Sequence, residues 1–147
     1  MGTRPVPPLA VGSLALALIL STCSGKEVAG RACPDGATAQ VKDFAGGGRL
    51  EWCELDGARH GPLRQIGDYG QTMFEGSCDR GTVDGTWTDY VSDQTTLEIP
   101  FEGGVAHGSI VERKSRSVVT RCDRGEKIEG PYGCTYDRFA DVCAESH

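Results

Sequence analysis

The chain repeats one short frame, "GARHG" at 57–61, "GTVDG" at 81–85 and "GVAHG" at 104–108, with starts 24 and 23 residues apart. A fourth copy, "GEKIEG" at 125–130, is one residue longer, and its approach "CDRG" at 122–125 reproduces "CDRG" at 78–81. His60, Asp84 and His107 stand before the second glycine of the three short frames. Leu63, Trp87, Ile110 and Tyr132 follow the four frames two positions on. A period of this length marks one supersecondary unit per repeat, stacked on the next to bury a shared face.

Between the frames the apolar residues alternate. In "TLEIPF" (96–101), Leu97, Ile99 and Phe101 share one face and Glu98 and Pro100 the other, a period of two that belongs to a strand. "RLEWCE" (49–54), "TMFEGSC" (72–78), "GTWTDYV" (85–91) and "RSVVTRC" (116–122) read as further strands, joined by segments rich in Gly, Asp and Ser. About 23 residues then hold two strands and two turns, one hairpin beside the next. Pro100 lacks an N–H and marks an unpaired or outward-facing position.

The frames read as turns. Gly57, Gly61, Gly81, Gly85, Gly104, Gly108, Gly125 and Gly130 supply the conformations that tight hairpins require, and His60, Asp84 and His107 bond the turn backbone. Asp replaces His in the second frame, so a shared metal site is not expected, nor is any cofactor.

The stretches "DGARHGP", "GSCDRGTVDGTW" and "FEGGVAHGSI" resemble MORN-type repeats, and especially their bacterial relatives of the YwqK antitoxin type, over residues 49–133. The resemblance implies an all-β fold, an elongated antiparallel β-meander of hairpin repeats in a twisted sheet, and exported bacterial members of that family are often lipoproteins. The chain departs from the pattern in having Leu63 and Ile110 where an aromatic follows the frame, and in its six additional cysteines.

Export is written at the N-terminus. Arg4 precedes an apolar run from Leu9 to Leu20, too short for a comfortable bilayer span, and the run ends in Leu20-Ser21-Thr22-Cys23, which resembles a lipobox. Residues 1–22 are expected to be a lipoprotein-type signal peptide and Cys23 the lipidated residue, carrying palmitate-type acyl chains; ordinary cleavage to a periplasmic or secreted chain is the alternative. Ser24 after Cys23 points to the outer membrane. Seven cysteines are odd in an exported chain, and assigning Cys23 to lipid leaves six, Cys33, Cys53, Cys78, Cys122, Cys134 and Cys143, enough for three disulfides among 15 connectivities. Equivalent positions in adjacent hairpins lie about 9.5 Å apart, beyond a disulfide's reach of about 7 Å, which disfavours Cys53–Cys78 and Cys78–Cys122. A hairpin about "GEKIEG" sets Cys122 opposite Cys134, the favoured bridge.

Residues 23–32 read as a polar tether and 33–147 as a single domain. In the tail, Tyr136, Phe139, Ala140 and Cys143 fall at helical spacing with Thr135 as N-cap, predicting a short helix that caps the last hairpin.

A formal charge of −6 argues against nucleic acid. No GxSxG, HExxH, phosphate loop or spaced nucleophile and base occurs, and the basic tract "ERKSR" (112–116) reads as a solvated hairpin tip. The expectation is a noncatalytic envelope lipoprotein, held to the membrane by its lipid, whose repeat sheet presents a surface to an envelope protein or glycan. Tyr69, Tyr90, Trp52 and Trp87 are the candidate contacts, the two tryptophans doubling as packing between hairpins. The alternatives are an immunity or antitoxin-like protein that neutralises a toxin and, more remotely, an envelope hydrolase.

Overall fold

The computed structural model describes Gly2, Thr3 and residues 27–145. Cys23, His147 and nearly all of the expected signal peptide lie outside the described residues. In chain order the elements are β1 (Glu27–Val28), β2 (Arg31–Ala32), β3 (Thr38–Asp43), β4 (Arg49–Leu55), β5 (Ala58–Ile66), β6 (Thr72–Asp79), β7 (Thr82–Tyr90), β8 (Thr96–Glu102), β9 (Val105–Ala106), β10 (Gly108–Glu112), β11 (Ser117–Asp123), β12 (Glu126–Glu129) and the helix α1 (Asp137–Ala144). Strands β3 to β12 form one open antiparallel sheet in sequence order, with β9 and β10 both pairing β8 as one strand interrupted at His107. The expected all-β meander with a short C-terminal helix is the observed fold.

The frames build this ladder, but not as turns throughout. Only the first glycine of each lies in a turn. At Asp56-Gly57, Arg80-Gly81, Gly103-Gly104 and Arg124-Gly125 both φ angles are positive, from 45° to 88°. Two-residue loops of this kind, type I′, match the strand twist. They sit between the pairs Leu55 and Ala58, Asp79 and Thr82, Glu102 and Val105, and Asp123 and Glu126. The second glycines, Gly61, Gly85 and Gly108, lie inside the following strands, and Gly130 just past β12. His60 and Asp84 are strand residues and His107 sits at the β9–β10 break, correcting the expectation that the three are turn residues.

Two further expectations change. Residues 27–32, read as tether, form the β1–β2 hairpin about Ala29-Gly30, and Val28 is buried. Arg31 crosses from it to Gly76 O at 2.7 Å and Ser77 Oγ at 3.4 Å. The helix, in turn, does not cap the last hairpin. It lies over the middle of the sheet, where Phe139 packs on Phe74, Trp87 and Phe101 at ring separations of 5.0, 4.8 and 6.2 Å. The reason is apolar area: Phe74, Trp87 and Phe101 of β6, β7 and β8 project to one face, and α1 supplies their cover. Its N-cap is Tyr136, without a side-chain bond, rather than Thr135.

Three disulfides join Cys33–Cys53, Cys78–Cys143 and Cys122–Cys134. The expected Cys122–Cys134 bridge is present, and adjacent-hairpin cysteines are unpaired with one another. Such a set belongs to a chain that matures in an oxidising, exported environment. Among the described residues no helix is long and apolar enough to cross a membrane.

Candidate functional site

The two "CDRG" turns explain the histidines. Nδ1 of His60 accepts the Arg80 N–H at 3.3 Å and Nδ1 of His107 accepts the Arg124 N–H at 3.2 Å, each from the turn of the next hairpin. The neighbouring backbone repeats the link, with Gly81 N–H donating to Arg59 O and Gly125 N–H to Ala106 O, both at 2.8 Å. Asp79 and Asp123 stand 3.3 and 3.4 Å from the same Nδ1 atoms. The cysteines of both turns hold the C-terminal segment, Cys78 through Cys143 and Cys122 through Cys134. The histidine module therefore ties one repeat to the next and anchors the chain end. His60→Ala should cost about 1 kcal/mol, the net worth of one hydrogen bond. Gly61→Val should cost more, because Gly61 has φ of 102° and its added Cβ would stand 2.4 Å from Pro34 Cδ. Urea midpoints of the two variants test that ranking; the reverse order would return His60 to a chemical role.

The helix face holds one buried carboxyl. Asp89, 5% exposed, bonds Arg138, whose guanidinium lies over the Phe139 ring at 4.6 Å. Burial raises the Asp89 pKa above the ordinary value, against the opposing pull of Arg138. The same burial, with the Asp89 charge beside it, pushes the Tyr136 hydroxyl up to about 12. A raised carboxyl pKa means that the folded state binds the proton more tightly. This stabilisation is complete below about pH 3.9 and disappears as pH rises through the folded pKa. Asp89→Asn should remove that acid-side gain and flatten the dependence of unfolding free energy on pH as pH rises above about 3.9, the ordinary carboxyl value. An unchanged pH profile would contradict the assignment.

Arg59 is buried in the same layer, 4.7 Å from the Trp52 ring. It donates to Val142 O and to Glu145 at 3.0 Å and so closes the C-terminal end of α1. These charges hold the helix in place.

The opposite face of the sheet is the one left to solvent beyond the β1–β2 hairpin. The register aligns Glu51, Arg64, Glu75, Thr88 and Glu98 across β4 to β8. Arg64 reaches Glu51 at 2.7 Å, and Tyr90 donates to Glu75 at 3.3 Å. Arg113 reaches Glu98 at 3.1 Å, Thr88 at 3.2 Å and the Tyr90 hydroxyl at 3.4 Å. This row supports strand pairing and fixes the Tyr90 side chain. The expected tip after β10 is present, organised by Glu112, which accepts the Lys114 and Ser115 N–H groups. Bonds from Ser115 chiefly hold the exposed Glu112 carboxyl below its ordinary range.

At the loop end of this face, opposite the type I′ turns, lies a cleft of about 590 Å³ between β6, β7 and β8. Thr72, Met73, Tyr90, Asp93 and Thr96 line it together with Gln71 and Ser92. Gln71 accepts the Tyr69 N–H at 3.0 Å, setting Tyr69 on the adjoining loop tip, 95% exposed. The aromatic candidates thus divide. Trp87 and Trp52 are buried at 0% and 4% exposure as packing residues, whereas Tyr90 lines the cleft and Tyr69 stands exposed on the loop that supplies Gln71 to it. Nothing in the repeat pattern signalled the cleft, because loop residues 67–71 and 91–95 differ between repeats. No family model matches the chain and no match was found among curated proteins.

Proposed function

We propose that the chain is a noncatalytic envelope lipoprotein of MORN-like repeats whose open sheet face is its recognition surface, for a protein or glycan of the envelope. One observation carries the reading: the helix, the Cys78–Cys143 and Cys122–Cys134 bridges and the buried Asp89 and Arg59 all serve the covered face, while the opposite face keeps a row of oriented polar side chains leading to an accessible cleft. The disulfides support an exported destination, and the sequence "LSTC" supports attachment through Cys23, which precedes the first described strand by four residues.

Growth with an alkyne palmitate analogue tests the anchor. Wild type should incorporate label and lose residues 1–22, and Cys23→Ser should do neither. Label retained by Cys23→Ser would remove the anchor from the reading. Crosslinking in intact envelopes from a photoreactive residue at position 69, against one at buried position 99, tests the surface. Recovery of an envelope component from position 69 alone is expected, and equal recovery from both would defeat it.

A further inference from the structure

We infer that the cleft between the loop ends of β6, β7 and β8 is a subsite for a neutral oligosaccharide segment, an inference that rests on the surface reading above and names its ligand class. The cleft volume, about 590 Å³, falls within the range of about 300–1,000 Å³ usual for small-ligand sites.

Its lining has the chemistry of a sugar's two aspects. A pyranose presents apolar C–H faces and a rim of hydroxyls that both donate and accept. Tyr90 and Met73 supply apolar surface inside the cleft, and Tyr69, 95% exposed, lies on the same loop two residues before Gln71, to which its N–H is bonded. Asp93 and the hydroxyls of Thr72 and Thr96 make no hydrogen bond or ion pair among the described residues, so their capacity is free for a ligand. A carboxylate accepting two neighbouring hydroxyls forms charge-assisted bonds, the strong class.

Tyr90 is already oriented, its hydroxyl donating to Glu75 and accepting from Arg113, so binding does not have to order it. Asp93 disfavours an anionic ligand. The exposed large apolar side chains of residues 67–73 and 90–96, Tyr69, Met73 and Val91, are few for the packed aromatic anchors of a protein interface. These features together favour a saccharide over a protein.

The test uses the full disulfide-bonded chain, isotopically labelled and held in a detergent without a sugar headgroup. Chitotetraose and maltotetraose are titrated while backbone amide shifts are followed. At least one should move the amides of residues 71–73 and 90–96 with a Kd of about 1 mM or tighter. Asp93→Ala should weaken binding about tenfold, as should Tyr69→Ala, while Tyr90→Phe, which keeps the ring, should weaken it less. All three positions are partly or fully exposed, so the variants should keep the wild-type spectrum elsewhere.

The inference is overturned if neither sugar moves these amides at about ten times that concentration, or if Asp93→Ala binds as wild type does. Crosslinking at position 69 to an envelope protein, with no saccharide response, would likewise overturn it and leave the surface reading intact. Failure of the position 69 crosslink to exceed that from position 99 would instead remove the surface reading.

Discussion

Replacing Cys78 and Cys143 together by serine is expected to cost about 4 kcal/mol, more than removal of either other disulfide. The bridge closes a loop of 65 residues, against 12 for Cys122–Cys134 and 20 for Cys33–Cys53. The loop-entropy relation puts the shorter two near 3 kcal/mol each. The difference grows for a structural reason. An eight-residue helix is not stable alone, and α1 holds its place through Phe139, Arg59 and this bond to β6. With the bond gone, the helix is the first element to open, uncovering Trp87 and Phe74. The variant should melt about 15 °C lower. Its tryptophan emission should shift to the red before the sheet unfolds. A double serine variant that melts within a few degrees of wild type would show that the aromatic contacts hold the helix unaided. The other two disulfide deletions give the comparison within the same protein.

Much of this architecture is legible in the repeat frame. Alternation at Leu97, Ile99 and Phe101 shows which side chains go inside, and the residue two beyond each short frame, Leu63, Trp87 or Ile110, is fully buried. What the frame does not display is which glycine makes the turn. Asp56-Gly57 is a strong type I′ pair, yet its aspartate lies outside "GARHG", and the eye is drawn instead to His60-Gly61. The function of His60 also depends on a turn 20 residues away, whose only sequence trace is that "CDRG" follows a histidine frame in both places. Helix placement was hidden for a similar reason. Periodicity over 136–143 shows that Phe139 and Cys143 share a face, but not that this face meets Phe74 and Cys78 rather than β12. Such pairings are long-range, and local pattern carries no information about them. The cleft is still less legible, since it is built from the loops that break the repeat.

Gly76 carries the other large expected effect. It lies mid-strand in β6 without a left-handed φ, and the sequence offers no reason for it. Its added Cβ would stand 2.2 Å from Trp87 Cδ2 and 2.3 Å from Cε2, so the indole lies directly on its backbone. Trp87 is fully buried, and its Nε1–H is fixed to Ser77 O at 2.9 Å. Phe139 packs against the same ring, tilted by 31° at a centroid separation of 4.8 Å. The ring has no direction in which to yield, so Gly76→Ala should cost about 3 kcal/mol, at the upper end for an overpacked core. Trp87→Phe should cost about 2 kcal/mol through lost volume and an unpaired carbonyl. The smaller ring leaves room for a methyl at position 76, so the double variant should be more stable than the summed costs predict by about 1–2 kcal/mol. Chemical denaturation of the four proteins measures that coupling. Strict additivity would mean that the close approach of ring and backbone is not what selects glycine here, and that the strand tolerates a side chain by moving away from the helix.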